Sequence, residues 1–319
     1  MVHRRGGAAV AALCTAVIAA CGSNQPAAVA ASPVIARVAS DTITLAQFNV
    51  RYQSASTSIE QGGAGKNPPP AAVTQLRAAI LRSLILDTVI REEATRLGVV
   101  ATPAEVSAEV ATDAQQAGGL SALKTELAGA GGSIAQLEDE ISSNLNEQRV
   151  ENVFAQQRAA LVETTLATGA SFITTAKTYS DDSGSTGTAA KGGDLGVLTA
   201  TQLKTYDPSF ATAVESLPVG AYTKTPVHDA GGYDIVMVYS KSAAGWGVRH
   251  ILIYAGNPYN VMDRPGWFAD ALFTAVNQLC AANQIVVSLT NAGGNPCTPS
   301  PSPTAASPTP RPTATAPAA

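Results

Sequence analysis

The chain has 319 residues, with 20 Lys and Arg against 24 Asp and Glu and a formal net charge of −4 at pH 7. That balance gives no reason to expect nucleic acid as a partner, whose phosphates call for clustered cations. With three histidines and four cysteines, none at metal-ligand spacing, the composition argues against a zinc enzyme and implies neither metal nor cofactor.

At the amino end, Arg4 and Arg5 precede an apolar stretch from Ala8 to Ala20, and Ile18-Ala19-Ala20 sets small residues ahead of Cys21. This is the pattern of a secretory signal over residues 1–20. Its ending resembles a lipoprotein box, which implies that Cys21 becomes the lipidated first residue of the mature chain. A transmembrane helix is the alternative, but about 13 apolar residues fall short of the roughly 20 that span a bilayer. Residues 21–33 then form a flexible tether, and the implied location is the extracytoplasmic face of a membrane. Loss of Arg4 and Arg5 takes the charge to −6. With Cys14 removed and Cys21 acylated, Cys280 and Cys297 are free to pair in an oxidising exterior or to stay as two thiols. A pair would close a short loop and add about 3 kcal/mol.

Val34 to Phe48 alternates apolar and polar residues like a strand, turns at Ser40-Asp41 and enters a helix, where Thr44 and Gln47 make a capping box. Helical spacing then runs from Ala71 to Leu97, with Val73, Leu76, Ile80 and Leu84 on one stripe and Leu81, Ile85 and Val89 on another. Gly98 stops it. Thr102-Pro103-Ala104-Glu105 restarts a helix with a cap, a first-turn proline and a capping-box glutamate, and Ser133 with Gln136 repeats the device. A helix from about Glu151 to Thr168, ended by Gly169, opens a second domain. Phe268, Leu272, Val276 and Leu279 mark a late helix, and Ile285 to Leu289 a late strand. Residues 291–319, almost all Pro, Thr, Ser and Ala from Pro296 on, cannot bury a core and read as a disordered tail, either a stalk or merely solvated.

Two pieces of the second domain carry a family resemblance. Tyr179 to Gly196 reads YSDDSGSTGTAAKGGDLG, and Val248 to Ile253 reads VRHILI. With the segment Gln202 to Phe210, the stretch Leu217 to Val227 and the strand Gly231 to Tyr239, they resemble the prolyl isomerases of the parvulin family. In that family the His-Ile-Leu strand comes first, whereas here it comes last. The resemblance implies a four-stranded antiparallel sheet whose first and last strands lie together at its centre, joined here by a new hairpin over Ser240 to Gly247. The alternative, a second truncated parvulin unit opening at Val248, would leave the first unit with an unpaired central strand.

Carried over residue by residue, the resemblance puts Asp182 where parvulins place Cys or Asp facing the imide. Leu203 and Phe210 fall on the walls of the proline pocket, with a small insertion at Thr205 to Asp207. His250 is the histidine of the His-Ile-Leu strand, and Asp229 falls where a threonine is usual. Asp234 stands where family members commonly have a second histidine. Two neutral imidazoles share a proton, whereas Asp234 beside His250 favours an ion pair and changes the field at the imide.

The first domain has its own resemblance. Val34 to Tyr52, Leu84 to Val110 and Gly118 to Val150 are similar to the helical chaperone domain of the SurA and PrsA foldases, through ARV-(turn)-IT-x-x-x-F, the helix ending IREEATRLGV, and TPAEV. An unrelated helical bundle is the alternative. The likeness implies an apolar crevice for unfolded clients, which the stripe Leu81, Ile85 and Val89 either lines or fills as plain core. It also implies that a C-terminal segment, residues 255–290, returns to complete the first domain, its strand pairing near Val34 to Val38.

The expected organisation is therefore α+β: a helical SurA-like domain over 34–150, a permuted parvulin-like domain over 151–254, and a completing helix and strand over 255–290. Its implied activity is peptidyl-prolyl cis-trans isomerisation and chaperoning of secreted, proline-containing polypeptides. The other reading is a lipoprotein whose degenerate parvulin domain only binds peptide. A solute-binding lipoprotein is a third, disfavoured by the lack of paired α/β lobes.

Overall fold

The computed structural model describes residues 32–61, 68–255, 265–290 and 293–298. The signal segment, Cys21, most of the tether and the tail beyond Thr298 lie outside the described residues.

The chain opens with a hairpin of β1 (Val34–Val38) and β2 (Asp41–Thr44), turning through Ala39 and Ser40. Helix α1 (Leu45–Gln61) then starts on the expected capping box, in which the Gln47 N–H donates to the Thr44 hydroxyl while the Gln47 side chain accepts the Thr44 N–H. Helix α2 (Pro70–Leu97) ends at Gly98, whose φ of 71° lets its N–H turn back onto the carbonyls of Ala94 and Thr95. A third strand, β7 (Ile285–Val287), pairs antiparallel with β1, Ala36 opposite Val287 and Val38 opposite Ile285. The sheet order is β2-β1-β7.

Leu81, Ile85 and Val89 are fully buried against this sheet, with Ile35, Val38, Phe48, Val276 and Ile285 around them. They are core, covered by a sheet built from early and late segments of the chain, and of the three, Ile85 also borders a cavity, one of about 680 Å³ shared with Leu86, Leu272, Phe273 and Val276. Leu84, on the other stripe, borders a cavity of about 360 Å³ that it shares with Val50, Arg51, Asp87, Arg91 and Asp139.

Helix α3 (Pro103–Gln116) begins on the reciprocal Thr102–Glu105 box, and α4 (Leu120–Gly129) follows. Next comes α5 (Ile134–Ala167), a single helix of 34 residues. The separate helix expected from Glu151 is its second half. No Gly or Pro interrupts the run, and Val150 and Glu151 are both buried inside it, so the backbone has no reason to break there. The first half packs on α2 and α3, and the second on the large sheet described next.

Helix α6 (Phe172–Tyr179), the short 3-10 turn η1 (Ala189–Lys191) and β3 (Asp194–Leu198) lead to α7 (Ala200–Leu203) and α8 (Pro208–Ser216). Strands β4 (Val227–Asp229), β5 (Gly232–Ser242) and β6 (Gly245–Tyr254) complete a four-stranded antiparallel sheet in the order β3-β6-β5-β4. The His-Ile-Leu strand is thus β6, central, the last of this sheet's four strands in chain order and hydrogen-bonded to β5. The hairpin is tighter than the expected Ser240 to Gly247 connection, because the strands continue to Ser242 and resume at Gly245. Gly245 has a φ of 137°, and a Cβ there would sit 2.1 Å from the Leu198 carbonyl oxygen. One face of the sheet, with Tyr233, Ile235, Ile251 and Ile253, packs on Ala155, Ala159 and Val162 of α5 and on Phe172. The other, with Val236, Val238 and Val248, packs on Leu203, Phe210 and Val214.

Helix α9 (Gly266–Ala281) follows β6 and leads to β7; its Phe268 and Leu272 pack with Ile90, Ala94 and Val150. Cys280, at its end, is joined by a disulfide to Cys297, with Cα atoms 5.3 Å apart.

Candidate active site

The register of the central hairpin makes the site. His250 pairs opposite Val236, and Asp234 lies two residues along β5 on the same face. That diagonal offset is within reach of a long side chain, and His250 Nδ1 lies 2.8 Å from Asp234 Oδ1. The other ring nitrogen, Nε2, is 3.0 Å from Asp182 Oδ2 and 3.0 Å from the Thr188 hydroxyl. The imidazole therefore bridges two carboxylates, one beneath it in the sheet and one on the loop above.

That loop closes on Asp182 itself. The Asp182 carbonyl accepts the Ala189 N–H at 2.9 Å, and its carboxylate accepts both the Thr188 N–H and the Thr188 hydroxyl. The Gly-rich segment between them is cinched at its base, which orients Asp182 toward the histidine. On the backbone side, the His250 N–H donates to the Gly193 carbonyl at 2.9 Å. Gly193 has a φ of 74°, and a Cβ there would fall 1.9 Å from the His250 carbonyl oxygen, so only glycine admits β6 this close.

Burial separates the carboxyls. Asp234 is 4% exposed, and desolvation pushes its carboxyl up to about 6 even though His250 pulls the other way. The charge of Asp229 on β4 also favours a proton on Asp234. Asp182 is less buried; desolvation works to raise it, but the Thr188 hydroxyl and His250 hold it below the usual carboxylate range. For His250 burial works to lower the value, and hydrogen bonds and charge from Asp234 and Asp182 overcome it and raise it. The expected histidine–aspartate ion pair at Asp234 has the contact it needs, and Asp182 supplies a second.

Leu203 and Phe210 are 2% and 1% exposed, packed among the valines of the sheet. The Phe210 ring stands edge-on to His250, with centroids 6.3 Å apart, and so forms an apolar floor beside the imidazole. Asp229 joins the carboxylates, and its Oδ1 also accepts the Gly231 N–H. Two neighbours of the site escaped the sequence reading. Tyr206 stacks on Phe210 at 4.9 Å, and burial, with the charges of Asp182 and Asp234, raises its phenol. It lies in the Thr205 to Asp207 stretch read as an insertion. Thr188 is the other; its only signal was its place six residues after Asp182 in a loop rich in glycine.

Family models match both halves of the chain. Residues 3–128 match the SurA-like N-terminal domain, and residues 137–240 match the PPIC-type PPIase domain, a match that stops before the strand carrying His250. No curated protein matches the chain. A crystal structure of peptidylprolyl isomerase (PrsA) from Bacillus anthracis is 22% identical over 64% of this chain and 97% of that one, with a TM-score of 0.26, too low to carry any argument.

Proposed function

Because this chain belongs to the parvulin foldases of the SurA/PrsA type, peptidyl-prolyl isomerases with a helical SurA-like domain, we propose that it acts outside the cytoplasm, anchored by lipid on Cys21, on proline-containing segments of secreted polypeptides. Asp182, His250 and Asp234 are the polar groups that serve the reaction, and Leu203 and Phe210 form the floor for the proline ring. The observation that carries the assignment is the His250 imidazole bridging Asp234 and Asp182 beside the Phe210 ring.

Rotation about an X-Pro bond must break amide conjugation, a barrier of about 18–20 kcal/mol. No bond to the protein is required. An apolar floor takes the ring out of water, and fixed polar groups favour the twisted imide over the planar one. Asp182, hydrogen-bonded by the Thr188 hydroxyl and His250, is the charged group least enclosed by the sheet, and the Tyr206 phenol lies beside it. Asp234 beneath keeps His250 in one ring orientation.

The test is isomerisation of a proline tetrapeptide by the parent, His250→Ala and Asp182→Ala. The parent accelerates exchange, and each variant loses about a hundredfold. A parent rate at background would leave the domain as a peptide-binding module and defeat the assignment of these residues. Labelled fatty acid incorporated into the parent but not into Cys21→Ala checks the anchor.

A further inference from the structure

Asp182 meets His250 only if the loop leaving α6 is held in place, and much of what holds it comes from outside the loop and the sheet's own core. Ser180 and Asp181 run alongside β6: the Ser180 hydroxyl accepts the Leu252 N–H at 3.1 Å, and the Asp181 N–H donates to the Leu252 carbonyl at 2.8 Å. The Asp181 carboxylate then accepts two donors on one oxygen, the Tyr254 N–H at 2.9 Å and the Trp267 indole N–H at 2.8 Å. Trp267 belongs to the first turn of α9, the helix that leads into β7 and packs through Phe268 on α2 and α5. Arg158 of α5 spans the joint, its guanidinium carbon 5.2 Å from the Tyr179 ring and 5.7 Å from the Trp267 ring. Burial works to raise the Asp181 carboxyl, and the Tyr254 amide, the Trp267 indole and the Arg158 charge all oppose it.

Adjacent residues thus face opposite partners, Asp181 toward α9 and Asp182 toward His250. We propose that Asp181 and Trp267 are positioning residues: their hydrogen bond fixes the loop so that Asp182 reaches His250, and a helix of the chaperone module thereby completes the isomerase site. This rests on reading Asp182 and His250 as the working pair.

The test uses the full chain with Asp181→Ala, Asp181→Asn and Trp267→Phe, following kcat and KM on a proline tetrapeptide and the titration of the His250 ring by NMR. The His250 signal is identified by its loss in His250→Ala. That ring faces Asp234 on β5 and Asp182 on the loop, with Asp229 and Tyr206 beside those carboxylates. Asp181→Ala lowers kcat about tenfold with KM within about twofold, and the His250 midpoint falls toward the ordinary histidine value as Asp182 withdraws. Asp181→Asn keeps an oxygen for both N–H donors and stays near the parent. Trp267→Phe keeps a ring for Arg158 but loses the donor, and falls between. An unchanged His250 midpoint in folded Asp181→Ala overturns the proposal; should that variant not fold, an unchanged midpoint in Trp267→Phe does so. Because the titration does not depend on turnover, an inactive parent whose midpoint still shifts defeats the assignment of the working pair and leaves the clamp standing.

Discussion

The two modules use their buried polar groups differently. In the helical module the buried Asn146 and Thr88 end on backbone: Asn146, 2% exposed, accepts the Ala101 N–H at 2.8 Å, and the Thr88 hydroxyl donates to the Leu84 carbonyl one turn back. In the sheet module the buried pair Asp234 and His250 bonds side chain to side chain and leads outward to Asp182 and Thr188. A polar group that meets backbone is structurally satisfied and chemically finished. One that meets another titratable side chain has a state that solution conditions can change.

The contrast breaks most directly at the apolar floor. Phe210→Ala removes a buried ring from the core that supports His250 and costs about 3–5 kcal/mol; denaturant midpoints read the loss, and isomerisation by the folded fraction falls as well. If activity per folded molecule stays at the parent value, the floor is scaffold alone.

Next comes the pH dependence of the sheet pair. Burial raises Asp234 to about 6, above its unfolded value, so ionising it costs the native state. The native state then gains protons that the unfolded state lacks, and this group's stabilisation is lost as pH rises from about 4 through about 6. His250, also raised, has the same sign: its contribution is full below the ordinary histidine value and is lost as pH climbs through the native one. Asp182 opposes both at the acid end, where a lowered carboxyl loses its contribution as pH falls. Stability against pH therefore slopes downward above about pH 4, by about 3 kcal/mol at most from Asp234, and Asp234→Asn flattens the slope. An equal slope in that variant would place the titration elsewhere.

The smallest effect is expected where chemistry is absent. Asn146→Ala leaves the Ala101 N–H without its acceptor and costs about 1–3 kcal/mol, with no change in the pH slope or in the isomerisation rate at temperatures where the variant is folded. A changed pH slope there would erase the distinction between the modules.

Local signals read well where one residue decides the outcome. The Thr44 and Thr102 capping boxes, the stop at Gly98 and the strand at Ile285 all stand where side-chain chemistry places them. The meeting of Asp182, Asp234 and His250 was legible because sheet pairing follows from the order of two motifs and a hairpin. What stayed hidden depends on packing between distant parts. The break at Glu151 was a family boundary laid over a helix that has no breaker, and nothing at Leu81, Ile85 or Val89 distinguishes a covered stripe from an open one until β1 and β7 close on it. Tyr206 and Trp267 act through contacts with no spacing rule behind them.

The pairing of Ala36 with Val287 also orders events during synthesis. A ribosome releases β1 near the start and β7 only after the entire β3-β6-β5-β4 sheet has been made, so the sheet can form while the strand that completes the first module does not yet exist. Until then the β1 edge that pairs with β7 stays open and the core around the Leu81 stripe lacks Val276 and Ile285, so the foldase is, for that interval, itself a nascent chain with an unfinished core.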